Sequence, residues 1–161
     1  MLVLGLGGGA IPSMLAKMHP EASIDIVEID LEIALIASKF FNFATNEKIR
    51  LYIDDASNYI NHLANSSEDT NYDIIIMDAY LGDKQPLHLC TNMYLEKMQK
   101  IISNNGILIW NLITGDKATS AANLSCMKSI FKNVFLLRCE NSGNVLAFCS
   151  QQTNGKIEKL I

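Results

Sequence analysis

The sequence lacks the features that mark membrane-spanning and secreted proteins. No stretch comes close to the ~18 uninterrupted apolar residues of a transmembrane helix. The apolar amino-terminal run has no early lysine or arginine, and Gly7, Gly8, Gly9 and Pro12 interrupt it, so it does not fit a signal peptide. We therefore expect a cytoplasmic protein that has no membrane partner.

Cysteines and basic residues are also few. The four cysteines lie far apart, with no C-x-x-C pair and no histidine at ligand spacing, which argues against a zinc site and a disulfide framework. We expect no metal. Acidic side chains outnumber basic ones by 17 to 13, which gives a formal net charge of −4. Because nucleic-acid-binding domains carry a basic surface, we expect no nucleic-acid partner.

What is present is enough apolar sequence for one folded domain. Of the 161 residues, 49% are hydrophobic and 19% are charged, a composition that excludes intrinsic disorder. Short apolar runs alternate with segments of helical periodicity, which is typical of parallel strands joined by helices. The seven runs cover residues 2–4, 24–27, 49–53, 74–77, 107–110, 134–137 and 145–149.

The last two runs are separated by a connection too short for a helix, so we expect them to form an antiparallel hairpin. The pattern predicts an α/β domain over residues 1–150, with a seven-stranded, mostly parallel sheet and helices on both faces. Residues 151–161 form a tail without an assigned role. We interpret Trp110 and the methionines as core residues, and Thr91 as the N-cap of a helix.

Ligands of open α/β sheets bind at the carboxyl ends of the strands. The first run ends there in a glycine-rich turn that contains Gly5, Gly7 and Gly9 and leads into a helix. Such a turn lets a ligand approach free backbone amides at the start of a helix. We interpret it as part of a nucleotide or nucleoside site, the alternative being a tight turn needed only for helix–sheet packing.

Acidic residues follow the next two runs. Glu28 comes 19 residues after Gly9 and is predicted to bind the ribose hydroxyls, the alternative being a solvated carboxylate next to a helix cap at Asp30. Asp55 and Ala56 are candidates for binding adenine, although Asp55 is equally suited to cap the next helix.

The fourth run supplies the candidate for catalysis. Asp78 emerges from a buried strand at the ligand edge, where a carboxylate can act as a base. His88, in the loop that follows, is interpreted as a residue bonded to backbone and not as a catalyst.

An NAD-binding domain is a rival interpretation, because the glycine turn and a later acidic residue also fit pyridine-nucleotide sites. The closing hairpin, however, differs from the all-parallel dinucleotide fold. The loops at the ligand edge also carry an excess of carboxylates, which suits a cationic sulfonium or polyamine better than a pyrophosphate. These loop residues are Glu28, Asp30, Asp54, Asp55, Asp78 and Asp83, against Lys84 alone.

In order and spacing these motifs resemble those of the spermidine synthase family, within the S-adenosylmethionine-dependent methyltransferase folds. The resemblance runs from Leu2 to about Ser150 and implies a Rossmann-like methyltransferase fold. The matching segments are residues 2–9 (LVLGLGGG), 27–30 (VEID), 55–56, 72–80 (YDIIIMDAY), 89–91 and 105–108.

The resemblance implies an enzyme of polyamine biosynthesis that transfers an aminopropyl group from decarboxylated S-adenosylmethionine to an amine. It implies that Glu28 holds the ribose, that Asp55 and Ala56 hold the adenine, and that Asp78 takes the catalytic position. We place Tyr80 and Asp83 in the substrate loop. The expected partners are a nucleoside sulfonium, an amine acceptor and a second copy of the chain in a homodimer.

The sequence departs from the family on the amine-binding side. The aspartate of the family's G-G-G-D-G-G motif is replaced by Gly8, and the D-S-S-D loop reads Asp-Ala-Tyr-Leu over residues 78–81. The glutamates usual after the loop threonine are Asn92 and Met93. These departures keep two alternatives open: an S-adenosylmethionine-dependent methyltransferase of unknown acceptor, and a nucleoside-binding module without catalysis.

Members of the family also carry an amino-terminal β-rich domain. Because the first predicted strand begins at residue 2, we expect that domain to be absent here, either in a fragment of a longer protein or in a reduced relative.

Overall fold

Strands and helices alternate along the chain. The computed structural model describes residues 1–67, 70–82, 84–113, 115, 117–140 and 142–152, with the backbone alone for residues 117 and 118. The strands are β1 (Leu2–Leu4), β2 (Ile24–Glu28), β3 (Ile49–Ile53), β4 (Tyr72–Met77), β5 (Ile102–Ile113), β6 (Asn133–Arg138) and β7 (Asn144–Ser150). The α-helices are α1 (Ala10–Met18), α2 (Leu31–Phe40), α3 (Ala56–Asn65), α4 (Asn92–Ile101) and α5 (Lys117–Ile130).

The strands form one mixed sheet in the order β3-β2-β1-β4-β5-β7-β6. Neighbours from β3 to β5 are parallel, whereas β7 runs antiparallel to both β5 and β6. The predicted α/β fold with a closing antiparallel hairpin is therefore confirmed. β2 and β3 lie on one side of β1, and β4 and β5 lie on the other. At such a switch in strand order, the carboxyl ends of the strands leave a crevice in which ligands of open sheets bind.

Side chains on alternate faces of the strands build two separate hydrophobic clusters. Leu2 and Leu4 contribute to the larger cluster, which includes residues of α3, α4 and α5. Val3 points to the opposite face and joins a smaller cluster with residues of α1 and α2. This alternation follows from the two-residue period of a strand, and it fixes which strand-end side chains reach the ligand edge.

Side-chain caps set the starting points of three helices. Asp30 accepts a hydrogen bond from the backbone N of Glu32 at 2.8 Å, and Asp55 accepts one from the N of Ser57 at 2.6 Å. The predicted cap at Thr91 is confirmed, since its Oγ1 accepts from a backbone N one turn into α4. Two of these caps belong to the carboxyl-edge loops, so helix initiation and ligand-edge geometry depend on the same residues.

The assignment of all methionines to the core is wrong. Met77, Met98 and Met127 are fully buried, but Met14 and Met18 of α1 are more than half exposed, and so is Met93. Apolar residues at helical spacing correctly predicted the helices. They did not predict how much of each apolar stripe a neighbouring element covers, because that depends on packing and not on period.

Candidate functional site

A cavity of about 230 Å³ opens at the carboxyl ends of the first four strands. Seven of the nine predicted site residues line it, namely Gly5, Gly7, Glu28, Asp55, Ala56, Asp78 and Tyr80. Gly9 lies outside the lining, and Asp83 lies outside the described residues. Residues distant in sequence thus converge because parallel strands end at one edge of the sheet.

The glycine-rich turn brings the backbone of β1 against that of β4. Gly5 has φ of +97°, and a Cβ there would lie 2.5 Å from the carbonyl oxygen of Asp78. Gly9 also has a positive φ, but a Cβ there would meet the Phe43 ring at 2.8 Å. The packing alternative therefore describes Gly9, whereas Gly5 and Gly7 form part of the cavity wall.

Glu28 is buried in the cavity wall, with 8% of its surface exposed. Its Oε2 accepts a hydrogen bond from the N of Leu6 at 2.9 Å, and its Oε1 accepts one from the N of Asp30 at 3.0 Å. The alternative of a solvated carboxylate is wrong. Each carboxylate oxygen has a further lone pair, so the side chain can brace the glycine turn and still accept a hydroxyl proton from a ligand.

Asp55 combines the two roles that the sequence left open, a helix cap and a place in the cavity wall. Its Oδ1 caps α3, while its Oδ2 lies 3.3 Å from Nε2 of His88. The interpretation of His88 as a loop residue bonded to backbone is wrong. A short 3₁₀ turn at Leu87–Leu89 follows Pro86 and places His88 against the start of α3, in the cavity wall.

Asp78 lies where β4 meets the cavity. Burial raises the pKa of its carboxyl, and a hydrogen bond donated by Nδ2 of Asn111 at 2.7 Å opposes that rise. A partly desolvated carboxylate with a raised pKa is a better proton acceptor than one in water. The neighbouring Tyr80 donates its hydroxyl to the carbonyl oxygen of Asn111, and burial, aided by the Asp78 charge, raises the pKa of Tyr80 to about 12.

Sequence reasoning missed four polar residues behind the cavity. Asn111 contacts Asp78, and it also binds Asn144 and Gln85. Gln85 in turn accepts a hydrogen bond from Nδ2 of Asn123, which is 2% exposed. One signal was available, since Asn111 interrupts an otherwise apolar stretch in β5, and a polar group in a half-buried strand requires partners.

The side chains that line the cavity carry mostly negative charge. Its carboxylates are Glu28, Asp54, Asp55 and Asp78, with His88 as the basic group beside them. Such a wall favours a cationic ligand over a pyrophosphate.

Over the described part of the chain, no group of three side chains is arranged to hold a metal ion. The described helices include none with the length and apolar character to cross a membrane.

Relatives of this chain include two kinds of transferase. It is 33% identical over 145 residues to a polyamine aminopropyltransferase of Vibrio vulnificus, covering 89% of this chain and 48% of the relative. It is 28% identical over 163 residues to the eEF1A lysine and N-terminal methyltransferase of Bos taurus, covering 98% of this chain and 23% of the relative. The chain thus spans about half of the first relative and a quarter of the second.

A solved structure shares the fold closely. Human methyltransferase-like protein 13 in complex with SAH superimposes with a TM-score of 0.88 at 30% identity, over 99% of this chain and 76% of that one. The spermine/spermidine synthase domain matches residues 1–140, which include every strand from β1 to β6. On the strength of that match, the chain belongs to the spermine/spermidine synthase domain family.

Proposed function

We propose that this domain binds an adenosyl sulfonium and transfers one of its alkyl groups to an amine. The observation that carries the proposal is a half-buried carboxylate, Asp78, in the wall of a cavity that also holds Glu28 and Asp55. Glu28 is suited to the ribose, and Asp55 with Ala56 to the adenine. This arrangement would place the sulfonium of the donor near Asp78.

The reaction we propose is an in-line displacement at carbon. The amine nitrogen forms a bond to the transferred carbon while the carbon–sulfur bond breaks, and the sulfonium leaves as a neutral thioether. An alkyl amine has a pKa near ~10 and is protonated at neutral pH. Asp78 would attract that ammonium and accept its proton, so that the lone pair becomes available. Alignment of the two substrates supplies much of the remaining acceleration.

Aminopropyl transfer from decarboxylated S-adenosylmethionine is our first candidate, since it is the activity named for the Vibrio relative and the one expected of this family. A polyamine precursor such as putrescine would be the acceptor. The excess of carboxylates in the cavity wall supports a donor and an acceptor that both carry positive charge.

Methyl transfer from intact S-adenosylmethionine is the second candidate, and one specific observation favours it. Position 8 is glycine and residues 79–81 carry no carboxylate, so two acidic groups that the family resemblance implies on the amine-binding side are missing. A site without them repels the carboxylate of intact S-adenosylmethionine less. The relatives that match 98% of this chain include a protein methyltransferase, which makes a peptide amine the acceptor to test.

The test is an incubation of the protein with each donor in turn, with putrescine or a lysine-bearing peptide as acceptor. Methylthioadenosine from the decarboxylated donor supports aminopropyl transfer, whereas S-adenosylhomocysteine from the intact donor supports methyl transfer. Calorimetric titration of both nucleosides runs alongside. Binding without either product supports the non-catalytic module, and absence of binding contradicts the proposal as a whole.

A further inference from the structure

Asn111 lies beside the catalytic candidate because of strand register. Met77 pairs with Trp110 across β4 and β5, so the next residues, Asp78 and Asn111, are neighbours at the carboxyl edge. Trp110 and Leu112 are buried, and Asn111 projects from the other side of β5. Its Nδ2 lies 2.7 Å from Oδ1 of Asp78, at the distance of a strong charge-assisted hydrogen bond.

A second asparagine fixes the orientation of that amide. Nδ2 of Asn144 donates to Oδ1 of Asn111 at 2.9 Å. Asn144 begins β7 and pairs with Ile113, so it is the diagonal neighbour of Asn111 on the sheet. An amide has one donor end and one acceptor end. With its oxygen occupied by Asn144, Asn111 must present its NH₂ group to Asp78.

Asn144 is itself held in place by the hairpin. Its backbone N donates to Oγ of Ser142 at 3.2 Å, and its carbonyl accepts from the N of Cys139 at 3.0 Å. The hydrogen bonds therefore connect the backbone at the start of β7, through the side-chain amides of Asn144 and Asn111, to the carboxylate of Asp78 in the cavity wall. Hydrogen bonds in such a chain polarise one another, so the last donor is strengthened by the first.

We propose that Asn144 and Asn111 form a relay of two side-chain amides that holds the Asp78 carboxylate in one orientation, with Oδ1 engaged and Oδ2 left to the acceptor amine. Asn111 and Asn144 are positioning residues, because they act on the reaction through Asp78. Their catalytic value rests on the function proposed above for Asp78, whereas the relay itself is a property of the unliganded protein.

The hydrogen bond from Asn111 counteracts the effect of burial on the pKa of Asp78. Burial favours the protonated form of Asp78, and the amide of Asn111 favours the ionised form. The Asp78 charge contributes to the raised pKa of Tyr80, which is about 12, so Tyr80 remains a neutral hydroxyl. The other ionisable groups of the cavity wall are Glu28, Asp54, Asp55 and His88. Without the relay, Asp78 is protonated over more of the pH range, and its carboxylate is no longer held in one orientation.

The substrate loop is anchored separately from the relay. Tyr80 donates its hydroxyl to the backbone carbonyl of Asn111, and Nε2 of Gln85 donates to the same oxygen at 3.1 Å. These bonds use the main chain of Asn111 and survive a change of its side chain. A variant of Asn144 is therefore a selective probe, since it alters neither the cavity lining nor the loop anchor.

The test compares Asn144→Leu with the wild-type protein by carboxyl ¹³C NMR titration, with Asp78 assigned from the Asp78→Asn spectrum. We expect the titration of Asp78 to move to higher pH in Asn144→Leu, and further in Asn111→Leu. Asn133→Leu is the matched control. It removes a half-buried asparagine from the far end of the same hairpin, where Asn133 pairs with Ser150, and it should leave Asp78 unchanged.

Turnover provides a second measurement. Loss of one aligned hydrogen bond corresponds to a change of about tenfold in a rate constant. We therefore expect kcat to fall by about that factor in Asn144→Leu, with KM and S-adenosylhomocysteine binding unchanged. The acidic limb of the pH profile of kcat should move to higher pH together with the NMR titration.

An unchanged Asp78 titration in folded Asn144→Leu would overturn the relay, whatever the activity. If that variant does not fold, Asn144→Ala removes the same donor with a smaller change in shape and decides the matter by the same criterion. A shifted titration in a protein with no turnover supports the relay and contradicts only the catalytic role of Asp78. The two proposals can therefore fail independently.

Discussion

At the scale of single residues, each of three carboxylates in the cavity wall is also held by contacts with neighbouring groups. Asp55 caps a helix with Oδ1 and meets His88 with Oδ2. Glu28 satisfies two backbone amides, and Asp78 is held by the amide of Asn111. Each of these side chains thus holds a neighbouring group and lines the cavity, so binding and stability can be compared variant by variant.

Asp78→Asn should abolish turnover and stabilise the protein at neutral pH. Because burial raises the pKa of Asp78, the native state binds more protons than the unfolded state between the two pKa values. Ionisation of Asp78 therefore lowers the free energy of unfolding as pH rises from the unfolded-state pKa to the native-state pKa. We expect kcat to fall about 100-fold or more. The melting temperature of the variant, relative to wild type, should be higher at about pH 7 than at about pH 3.

The measurements are thermal melts at both pH values and a donor-saturated rate. S-adenosylhomocysteine affinity serves as the control and should change by less than about threefold. A variant that is equally stabilised at both pH values would argue that burial of the charge is not the cause.

Glu28→Gln should weaken both folding and donor binding. Glutamine offers one acceptor oxygen, so either the N of Leu6 or the N of Asp30 loses its partner. An unsatisfied buried donor costs about 1–3 kcal/mol, measurable as a shift in the urea midpoint. S-adenosylhomocysteine affinity, measured by calorimetry, should fall about tenfold. Asp54→Asn, at the end of the next strand, is the control, and an equal loss there would contradict a special role for Glu28.

At the scale of secondary-structure elements, the site depends on how closely β1 approaches β4. Gly5 permits the approach, and the backbone bonds from Gly5 N to Val27 O and from Asp78 N to Leu4 O tie the three strand ends together at 2.8 and 2.9 Å. The crevice is therefore a product of strand pairing.

Gly5→Ala and Gly7→Ala form a matched pair that separates backbone strain from steric conflict. Both glycines have positive φ, but only at Gly5 would a Cβ collide with backbone, 2.5 Å from the Asp78 carbonyl oxygen, whereas nothing lies within 4 Å at Gly7. Gly7→Ala should cost about 1–2 kcal/mol of unfolding free energy, and Gly5→Ala clearly more. Chemical denaturation measures both, and equal losses would contradict the steric argument.

At the amino ends of the strands, a cluster of polar side chains surrounds the buried Asp25. Asp25 is 4% exposed and accepts from Nε of Arg50 at 2.6 Å and from the hydroxyl of Tyr72 at 2.8 Å. The hydroxyl of Tyr59 lies 3.3 Å from that of Tyr72. Burial raises the pKa of Tyr72 far above its ordinary value, so the hydroxyl stays protonated and remains a donor.

Tyr72→Phe should destabilise the domain by about 2 kcal/mol, since it removes a hydrogen bond to a charged group. Tyr59→Phe, which removes only the outer hydroxyl, should cost less. Urea denaturation measures both losses. Donor affinity should be unchanged in both variants because the cluster lies at the amino ends of the strands, and an effect on binding would show that the two edges are coupled.

At the scale of the whole molecule, the ligand site bridges loops from four strands and both hydrophobic clusters. Glu28 ends β2, Ala56 belongs to the larger cluster, and Leu6, bonded to Glu28, belongs to the smaller one. A ligand that fills the cavity contacts elements packed on both faces of the sheet. We therefore expect ligand binding to raise the free energy of unfolding of the whole domain, and not only the local stability of one loop.

S-adenosylhomocysteine at about 100 times its dissociation constant should raise the unfolding free energy by about 2.7 kcal/mol. NAD at the same concentration should stabilise the protein much less, because the carboxylates of the cavity wall oppose a pyrophosphate. Thermal shift measures both. A larger shift with NAD would contradict the nucleoside sulfonium proposal and favour the dehydrogenase interpretation.

The sequence by itself determined the order of the elements and most of the cavity wall. Apolar period and run length are local properties, so β1 and β3 have the predicted bounds, and the short last connection gave the hairpin. Parallel strands end at one edge, so residues that follow those strands, such as Glu28 and Asp78, had to meet there.

Only the tertiary structure decided what surrounds those residues. β5 runs from Ile102 to Ile113, well beyond the predicted run, because its ends pair with β4 and β7. The contacts of Asp78 with Asn111, and of Asn111 with Asn144, join residues 33 positions apart. The burial of Glu28 and the exposure of Met14 likewise depend on which neighbours cover them. Local pattern sets the element and its face, whereas partners and burial arise from register and packing between distant segments.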